Sequence, residues 1–196
     1  MRVLAVSPHL DDAAFSVGGT LAALAAAGHQ VTVVTCFTAS VPDPDGFALA
    51  CQLDKGLAAG VHAGDRVWRS LGAALEGHDA DLWLAPQALG GHVDHLQVLR
   101  AVAGLDRPVL WWRDSPYVLR DPAALPGPEL PGGLAEVQLP QDLDRRADAC
   151  ACYPTQLGFQ FGGAEQMRRA LAGLPEVLLA GDRAREVLAT AAVPAG

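Results

Sequence analysis

The sequence predicts a Rossmann-like α/β fold, in which a mostly parallel sheet carries helices on both faces. Three observations favour this fold. The apolar run at residues 3–6 is short and is bounded by Pro8, as expected of a buried strand. From Ala13 the apolar residues follow helical spacing as far as Gly28, and a β-branched run at 30–37 comes directly afterwards. A strand, a helix and a strand in this order require a parallel pair with a right-handed crossover.

Length and composition limit the proteins that could have this fold. The chain has 196 residues, of which 51% are hydrophobic and 18% charged, which is enough for one domain with a sizeable core. We therefore expect a single domain over residues 1–196. The formal net charge of -8 disfavours nucleic acid as a partner, because phosphates need a basic surface. A small-molecule substrate is expected instead, and the sequence leaves a homo-oligomer open.

The sequence also carries signals of cellular location and cofactor use. No window approaches about 18 uninterrupted apolar residues, and the chain enters its first strand without a basic leader or cleavage site. We expect a cytoplasmic protein with no membrane partner. Four cysteines are too few for a disulfide scaffold, so reduced thiols are expected, and the C-x-C pair at Cys150 and Cys152 lacks the second pair of a structural zinc site. Because no G-x-G-x-x-G follows the first strand, no nicotinamide cofactor is expected.

The remainder of the chain continues the alternation of strands and helices. Short apolar runs predict strands at residues 81–85, 108–112 and 134–139. Apolar residues at helical spacing predict helices at 47–57, 68–75, the stretch that follows His95, 141–152, 163–174 and 182–191. Pro and Gly indicate loops at 39–46 and 119–133, and Asp182 is expected to cap the last helix.

Two of the predicted strand-to-helix turns carry side chains that bind metals. These side chains are His9, Asp11, Asp12, His92, Asp94 and His95. Open α/β sheets bind their ligands outside the carboxyl ends of the strands, so we expect the two turns to meet there. His9, Asp12 and His95 would supply two imidazoles and a carboxylate, and would leave a position open for water as catalytic zinc sites do.

The other three polar residues of these turns are available for chemistry. A carboxylate beside a metal-bound water can take its proton, which is a role for Asp11, and a histidine such as His92 can stabilise an oxyanion or protonate a leaving amine. Asp94 could orient His92 through a ring N–H, raise its pKa and keep it protonated near neutral pH. Asp at such a turn is also a common helix N-cap, so a capping interpretation of Asp94 stays open.

The two motifs, Pro8-His9-Leu10-Asp11-Asp12 and His92-Val93-Asp94-His95, resemble the paired P-H-x-D-D and H-x-D-H motifs of the zinc-dependent PIG-L or LmbE-like de-N-acetylases. The resemblance extends to Gly-Gly-Thr-Leu-Ala at 18–22 and to Tyr153-Pro154-Thr155-Gln156, which is similar to a Y-x-S-Q segment. It implies that His9, Asp12 and His95 bind the metal and that Asp11 is the general base. It also implies that His92 and Asp94 match the opening His and Asp of the second motif.

The activity that the resemblance implies is hydrolysis of an N-acetyl group, usually from a glucosamine-containing molecule. The implied cofactor is one zinc ion per chain, with another divalent metal as the alternative. The sequence departs from the family pattern in two places. Ala13 stands where many members have Glu, and little chain separates Leu57 from the next predicted helix, so we expect a segment near 54–62 to be absent or shortened. Arg66 and Arg69 are sugar-binding candidates by residue type alone.

A third turn follows the predicted strand at 108–112. Its Arg113, Asp114 and Tyr117 have the character of a sugar subsite, and a turn with a packed Tyr is an equally favoured interpretation. The predicted function is zinc-dependent removal of an N-acyl group from a small amino-sugar-containing substrate. The alternative is a non-catalytic carbohydrate-binding or scaffold protein of the same fold, against which the presence of Asp11 and His92 argues because binding needs no base. A metal-dependent phosphoesterase would bring a second metal and more carboxylates.

Overall fold

Parallel strands form the centre of the protein and determine where its polar turns lie. The structure is a computed structural model, and it describes residues 1–38 and 66–193. The strands of the described residues are β1 (Arg2–Ser7), β2 (Gln30–Thr35), β3 (Leu82–Pro86), β4 (Val109–Trp112), β5 (Ala135–Val137) and β6 (Leu178–Ala180). They form one six-stranded sheet in the order β2-β1-β3-β4-β6-β5. The first four strands in this order are parallel, whereas β6 runs antiparallel to both of its neighbours.

Helices cover both faces of this sheet. They are α1 (Asp12–Ala26), α2 (Val67–Glu76), α3 (Val93–Ala103), α4 (Tyr117–Arg120), α5 (Leu143–Ala151), α6 (Pro154–Phe161), α7 (Ala164–Ala172) and α8 (Asp182–Thr190). A 3-10 turn, Leu89–Gly91, precedes α3. The predicted fold class is therefore confirmed.

The side chains of β1 show why its sequence is apolar without alternation. Val3 and Ala5 pack into a core shared with α1 and α8. Leu4 and Val6 point to the opposite face, into a core shared with α2 and α3. A strand that is covered on both faces needs apolar residues at every position, and this is the reason that the run at 3–6 predicted a buried strand. A third apolar cluster, around Phe15 and Met167, packs α5, α6 and α7 against α1.

Several elements differ from the predictions. The three-residue strand β6 and the helix α6 were not predicted, and α4 occupies the beginning of the stretch at 119–133 that was expected to lack a helix. The predicted cap of the last helix is wrong, because Gly181 holds the N-cap position and Asp182 is the first helical residue. The strand predicted at 134–139 is confirmed in place as the shorter β5.

Some predictions fall on residues that the structure does not describe. They are the loop at 39–46, the helix at 47–57 and the shortened segment near 54–62. Cys36, Cys150 and Cys152 are free thiols, and the last two donate hydrogen bonds to separate backbone oxygens. Within 1–38 and 66–193, no helix combines the length and the apolar character needed to cross a membrane.

Candidate metal centre

The turns that follow β1 and β3 lie together at one edge of the sheet, because these two strands are parallel neighbours. Each turn contributes histidines to the same cluster. The ring centroids are 5.0 Å apart for His9 and His92, 5.4 Å for His9 and His95, and 5.3 Å for His92 and His95. The structure therefore brings the two sequence motifs into direct contact.

Hydrogen bonds within the first turn fix its shape. Asp12 Oδ2 accepts a hydrogen bond of 2.7 Å from the His9 backbone N–H. The Ser7 hydroxyl, at the end of β1, donates to the His9 carbonyl at 2.5 Å and accepts from the Ala13 N–H at 3.1 Å. Sequence reasoning did not select Ser7, whose position at the carboxyl end of the first strand was the available signal.

The Asp12 carboxylate lies between two imidazoles. Its Oδ2 is 3.1 Å from His9 Nδ1 and 3.3 Å from His95 Nε2. Asp12 and His95 are only 6% and 1% exposed. Two sets of three side chains within the described ranges bring their ligand atoms within 4.8 Å of one another, namely His9 with Asp12 and His95, and His9 with His92 and Asp94.

The first of these sets has the chemistry that a zinc ion requires. His95 Nε2 is buried and has no hydrogen-bond partner among the described residues. Its other ring nitrogen, Nδ1, lies 2.7 Å from Asp114 Oδ1, so a neutral ring that donates there presents a lone pair at Nε2. A buried polar atom without a partner is costly, and a cation at this point would satisfy it. Two imidazole nitrogens and one carboxylate oxygen form a common ligand set of catalytic zinc.

Buried carboxylates contact His95 and His9 at the ring nitrogens that face away from Asp12. Asp114 receives a further hydrogen bond of 3.0 Å from the Leu89 N–H, and Asp94 Oδ2 lies 2.8 Å from His9 Nε2. A carboxylate on the far nitrogen of a ligating histidine fixes the ring and its tautomer. The prediction that Asp114 belongs to a sugar subsite is therefore wrong, since this side chain is fully buried against His95. The prediction that Asp94 orients His92 is also wrong, because its carboxylate contacts His9.

His92 occupies the N-cap position of α3. Its Nδ1 accepts a hydrogen bond of 3.2 Å from the Asp94 backbone N–H, so the cap of this helix is His92 and not Asp94. Burial, together with the positive charges of His95 and His9, lowers the pKa of His92 to about 4. The predicted rise in this pKa is therefore not found. A neutral ring that accepts at Nδ1 carries its proton on Nε2 and can donate from there.

The other groups of the centre have pKa values that reflect their close pairing. Burial disfavours a charge on His9, but hydrogen bonds to Asp12 and Asp94 outweigh it and raise the pKa to about 9. Burial likewise opposes protonation of His95, whereas the charge of Asp12 and the hydrogen bond to Asp114 raise its pKa to about 10. Burial, reinforced by the charge of Asp12, raises the pKa of Asp11 to about 6.

Asp12 behaves in the opposite way. Burial alone would raise its pKa, yet the neighbouring positive charges of His95 and His9 and the hydrogen bond of His9 bring it far below the usual value. The carboxylate is therefore held ionised by surrounding positive charge. A bound divalent cation is often the largest local charge in a protein site, and it would take over this role from the two imidazolium groups.

The third turn brings an aromatic wall to the histidines. The Tyr117 ring is edge-on to His95 at 5.4 Å and lies 6.5 Å from His92. It fits there because residue 90 is glycine, since a Cβ at Gly90 would lie 2.8 Å from Tyr117 Cδ1. Of the two arginines proposed for sugar binding, Arg69 lies over the ring of Trp68, its neighbour on α2, and Arg66 directly precedes that helix.

A second tyrosine, at the N-cap of α6, supports the first motif. The Tyr153 hydroxyl donates a hydrogen bond of 2.7 Å to the carbonyl of Leu10. This residue begins the segment that resembles Y-x-S-Q, which was the signal available in the sequence. The contact gives that segment a structural role, since it holds the loop that carries His9 and Asp11.

Comparisons with known proteins find sequence similarity to deacetylases. The PIG-L family model, described as GlcNAc-PI de-N-acetylase, matches residues 4–51, a stretch that contains the first motif, and confirms the family resemblance there. The 2'-N-acetylparomamine deacetylase of Streptomyces fradiae is 34% identical over 166 residues, covering 59% of this chain and 57% of that protein. The match thus spans little more than half of the curated relative.

Solved structures share the fold. A triple mutant of a deacetylase of the teicoplanin biosynthetic pathway superposes with a TM-score of 0.67 at 23% identity, covering 92% of this chain and 97% of that one. The zinc-inhibited form of a teicoplanin deacetylase gives a TM-score of 0.66 at 21% identity, with 93% and 99% covered. At these identities the likeness shows the fold.

Proposed function

From its likeness to the PIG-L de-N-acetylases, we propose that this protein hydrolyses the N-acyl amide of a small amino-sugar-containing molecule and uses one zinc ion per chain. One observation carries the proposal. His9 Nδ1 and the buried, unpartnered His95 Nε2 both face Asp12 Oδ2, at 3.1 and 3.3 Å. Two candidate catalytic groups, Asp11 and His92, stand at the same edge of the sheet.

His9, Asp12 and His95 would hold the metal, and another divalent ion is the alternative to zinc. When bound, such an ion would act as a Lewis acid that polarises the acyl carbonyl and lowers the pKa of water, so that a nucleophilic hydroxide is available near neutral pH. Asp114 and Asp94 fix the two histidine rings through the nitrogens that face away from Asp12. In this role Asp94 positions a ligand and does not touch the substrate.

Asp11 is the proposed general base. A pKa of about 6 leaves it mostly ionised at neutral pH yet basic enough to accept a proton from the attacking water. The same group can then give that proton to the amine that leaves when the C–N bond breaks. The products are a carboxylic acid and a free amino sugar, so one water molecule is consumed and the protons balance.

His92 is proposed to stabilise the acyl oxygen as it gains negative charge. With a pKa of about 4 the ring is neutral at working pH, and its Nε2–H is the available donor. A donor aimed at developing charge favours the transition state over the bound substrate. This role differs from the imidazolium that the sequence suggested, because burial and the positive charge of the centre disfavour a further cation at His92, whether that charge lies on the rings of His9 and His95 or on a metal ion bound by them.

The proposed substrate class follows from the names of the relatives, which act on acetylated paromamine and in teicoplanin biosynthesis. An N-acetylated amino sugar joined to a larger group fits both. The ring of Tyr117, which lies beside His92 and His95, is proposed to pack on a sugar ring. The proposed location is the cytoplasm. Nucleic acid and membranes are not proposed as partners, and a homo-oligomer stays open.

Two measurements on the purified chain test this function. Metal content is determined by mass spectrometry, and free-amine release is followed on a panel of N-acetylglucosamine conjugates and N-acetylated aminoglycosides. We expect one zinc per chain and amine release from at least one substrate. The Asp11→Asn protein should keep its zinc but lose roughly 10² to 10⁴ of its turnover, the range that a positioned base supplies. Binding of these sugars by a zinc-loaded parent that releases no amine would favour the non-catalytic carbohydrate-binding alternative.

A further inference from the structure

Helix α1, which begins at Asp12, is interrupted one turn after the metal centre. Val17 has φ −142° and ψ 16°, which are not helical values. A regular helix would send the N–H groups of Gly19 and Thr20 to the carbonyls of Phe15 and Ser16. Here both N–H groups donate instead to Glu176, at 2.7 and 2.6 Å, and the Thr20 hydroxyl joins them at 2.6 Å.

A buried arginine takes the other side of the interruption. Arg146 on α5 donates to the Phe15 carbonyl from Nε at 3.1 Å and from Nη2 at 2.6 Å. Its Nε also lies 3.3 Å from Glu176 Oε1. The two side chains are 1% and 2% exposed. An ion pair therefore occupies the break in α1 and satisfies polar groups on both sides of it.

The same arginine reaches the turn that holds His95. Its Nη2 lies 3.4 Å from the hydroxyl of Ser115, which follows Asp114 directly. The Ser115 N–H in turn donates to the hydroxyl of Ser16 on α1 at 3.0 Å. The beginning of α1 is thus linked to the turn that carries Asp114 in two ways, through Arg146 and through the hydrogen bond between Ser115 and Ser16. Asp114 in turn contacts His95.

We propose that Arg146 is a positioning residue that ties the α1 turn carrying Asp12 to the Asp114 turn that orients His95, and so preserves the spacing of the metal ligands. The proposal rests on the proposed metal centre. The guanidinium of Arg146 donates to three separate groups, which are the Phe15 carbonyl, the Ser115 hydroxyl and, from Nη1 at 2.7 Å, the Leu174 carbonyl. A lysine ammonium is a point charge and cannot reproduce that planar fork.

The affinity of the purified chain for zinc tests the proposal without any substrate. The zinc dissociation constant is measured by competition with a chromogenic chelator for the parent and for Arg146→Lys. We expect about tenfold weaker binding in the variant, within the range seen when groups that support metal ligands are changed. The visible spectrum of the cobalt-loaded protein should also shift, because ligand geometry sets it. The matched control is Arg145→Met, which removes an exposed arginine from the adjacent position of α5 and should leave both readouts unchanged.

A second variant covers the case in which Arg146→Lys does not fold. Ser115→Ala keeps the buried ion pair and removes only the hydroxyl that accepts from Arg146 Nη2, so zinc should bind about fivefold more weakly, as expected from one lost hydrogen bond. Parent-like zinc affinity and cobalt spectra in Ser115→Ala, and in Arg146→Lys if it folds, would overturn the proposal even if the melting temperature fell. A parent that binds zinc but deacetylates nothing would instead refute the proposed function alone.

Discussion

At the level of single residues, His92 allows metal binding and transition-state stabilisation to be tested separately. It is half-buried and neutral, and it lies outside the set formed by His9, Asp12 and His95. Replacing it with Ala should leave zinc bound and KM little changed but lower kcat roughly 10² to 10³-fold, because the lost donor acts on charge that develops in the transition state. Steady-state kinetics with metal analysis check this, with His78→Ala as the control outside the site. Loss of zinc from His92→Ala would make His92 a ligand.

Asp114 should matter for the metal even though it does not touch it. In Asp114→Asn one side-chain oxygen becomes an NH₂ group, which is only a donor. The side chain can then no longer accept hydrogen bonds from both His95 Nδ1 and the Leu89 N–H. Zinc affinity should fall roughly 10- to 100-fold, the usual effect of losing a carboxylate that orients a ligating histidine. Chelator competition measures it, and exposed Asp106→Asn serves as the control. Equal zinc affinity in the two variants would show that Asp114 has no orienting role.

The sequence could predict the members of the centre but not how they pair. The six motif residues stood in two turns after strands that the fold makes neighbours, so their convergence followed from topology. Asp94 instead reaches His9, which is 85 residues away, and Asp114 comes from a third turn. Contacts between such distant side chains have no counterpart in local spacing. The low pKa of His92 was missed for the same reason, because it depends on the burial of the ring and on the charges of His95 and His9 beside it.

The break in α1 gives a prediction at the level of elements. A Cβ at Gly19 would lie 2.9 Å from the Asp142 carbonyl and 3.0 Å from Glu176 Oε1. Gly19→Ala should therefore destabilise the protein by about 1 to 3 kcal/mol, as overpacking does at a tightly packed site. In α6, a Cβ at Gly158 would meet no atom of another described segment within 4 Å, so Gly158→Ala should have a neutral or stabilising effect. Urea denaturation compares the two, and equal stabilities would contradict the close packing.

Elements with strong internal patterns were predicted, and those that depend on tertiary contacts were not. The strands β1, β3 and β4 could be predicted because both of their faces are buried and apolar, and β2 because its residues are mostly β-branched. β6 has three residues, too few for periodicity to distinguish a strand from a loop. The Asp142 carbonyl packs closely against Gly19, but neither this contact nor the ion pair of Arg146 and Glu176 in the break of α1 has a local sequence signal.

At the level of the whole molecule, the affinity of the protein for zinc should depend on pH. The pKa values of about 9 for His9 and about 10 for His95 mean that both rings are protonated at neutral pH when no metal is bound. Zinc needs these rings neutral, so binding must release protons and affinity should increase as pH rises from 7 toward 9. Calorimetry in buffers of different ionisation enthalpy counts the protons released. Constant affinity over this range, with no proton release, would contradict the assignment of the two histidines as ligands.

The central claim is that one metal ion joins the two turns at the carboxyl edge of the parallel sheet. Crystals of the purified chain, measured above and below the zinc absorption edge, test it most directly through the anomalous difference map. The account predicts a single peak at about 2.0 to 2.2 Å from a nitrogen of His9, a nitrogen of His95 and an oxygen of Asp12. A peak bound instead by His92 and Asp94, or no peak between the two turns in zinc-soaked crystals, would contradict it.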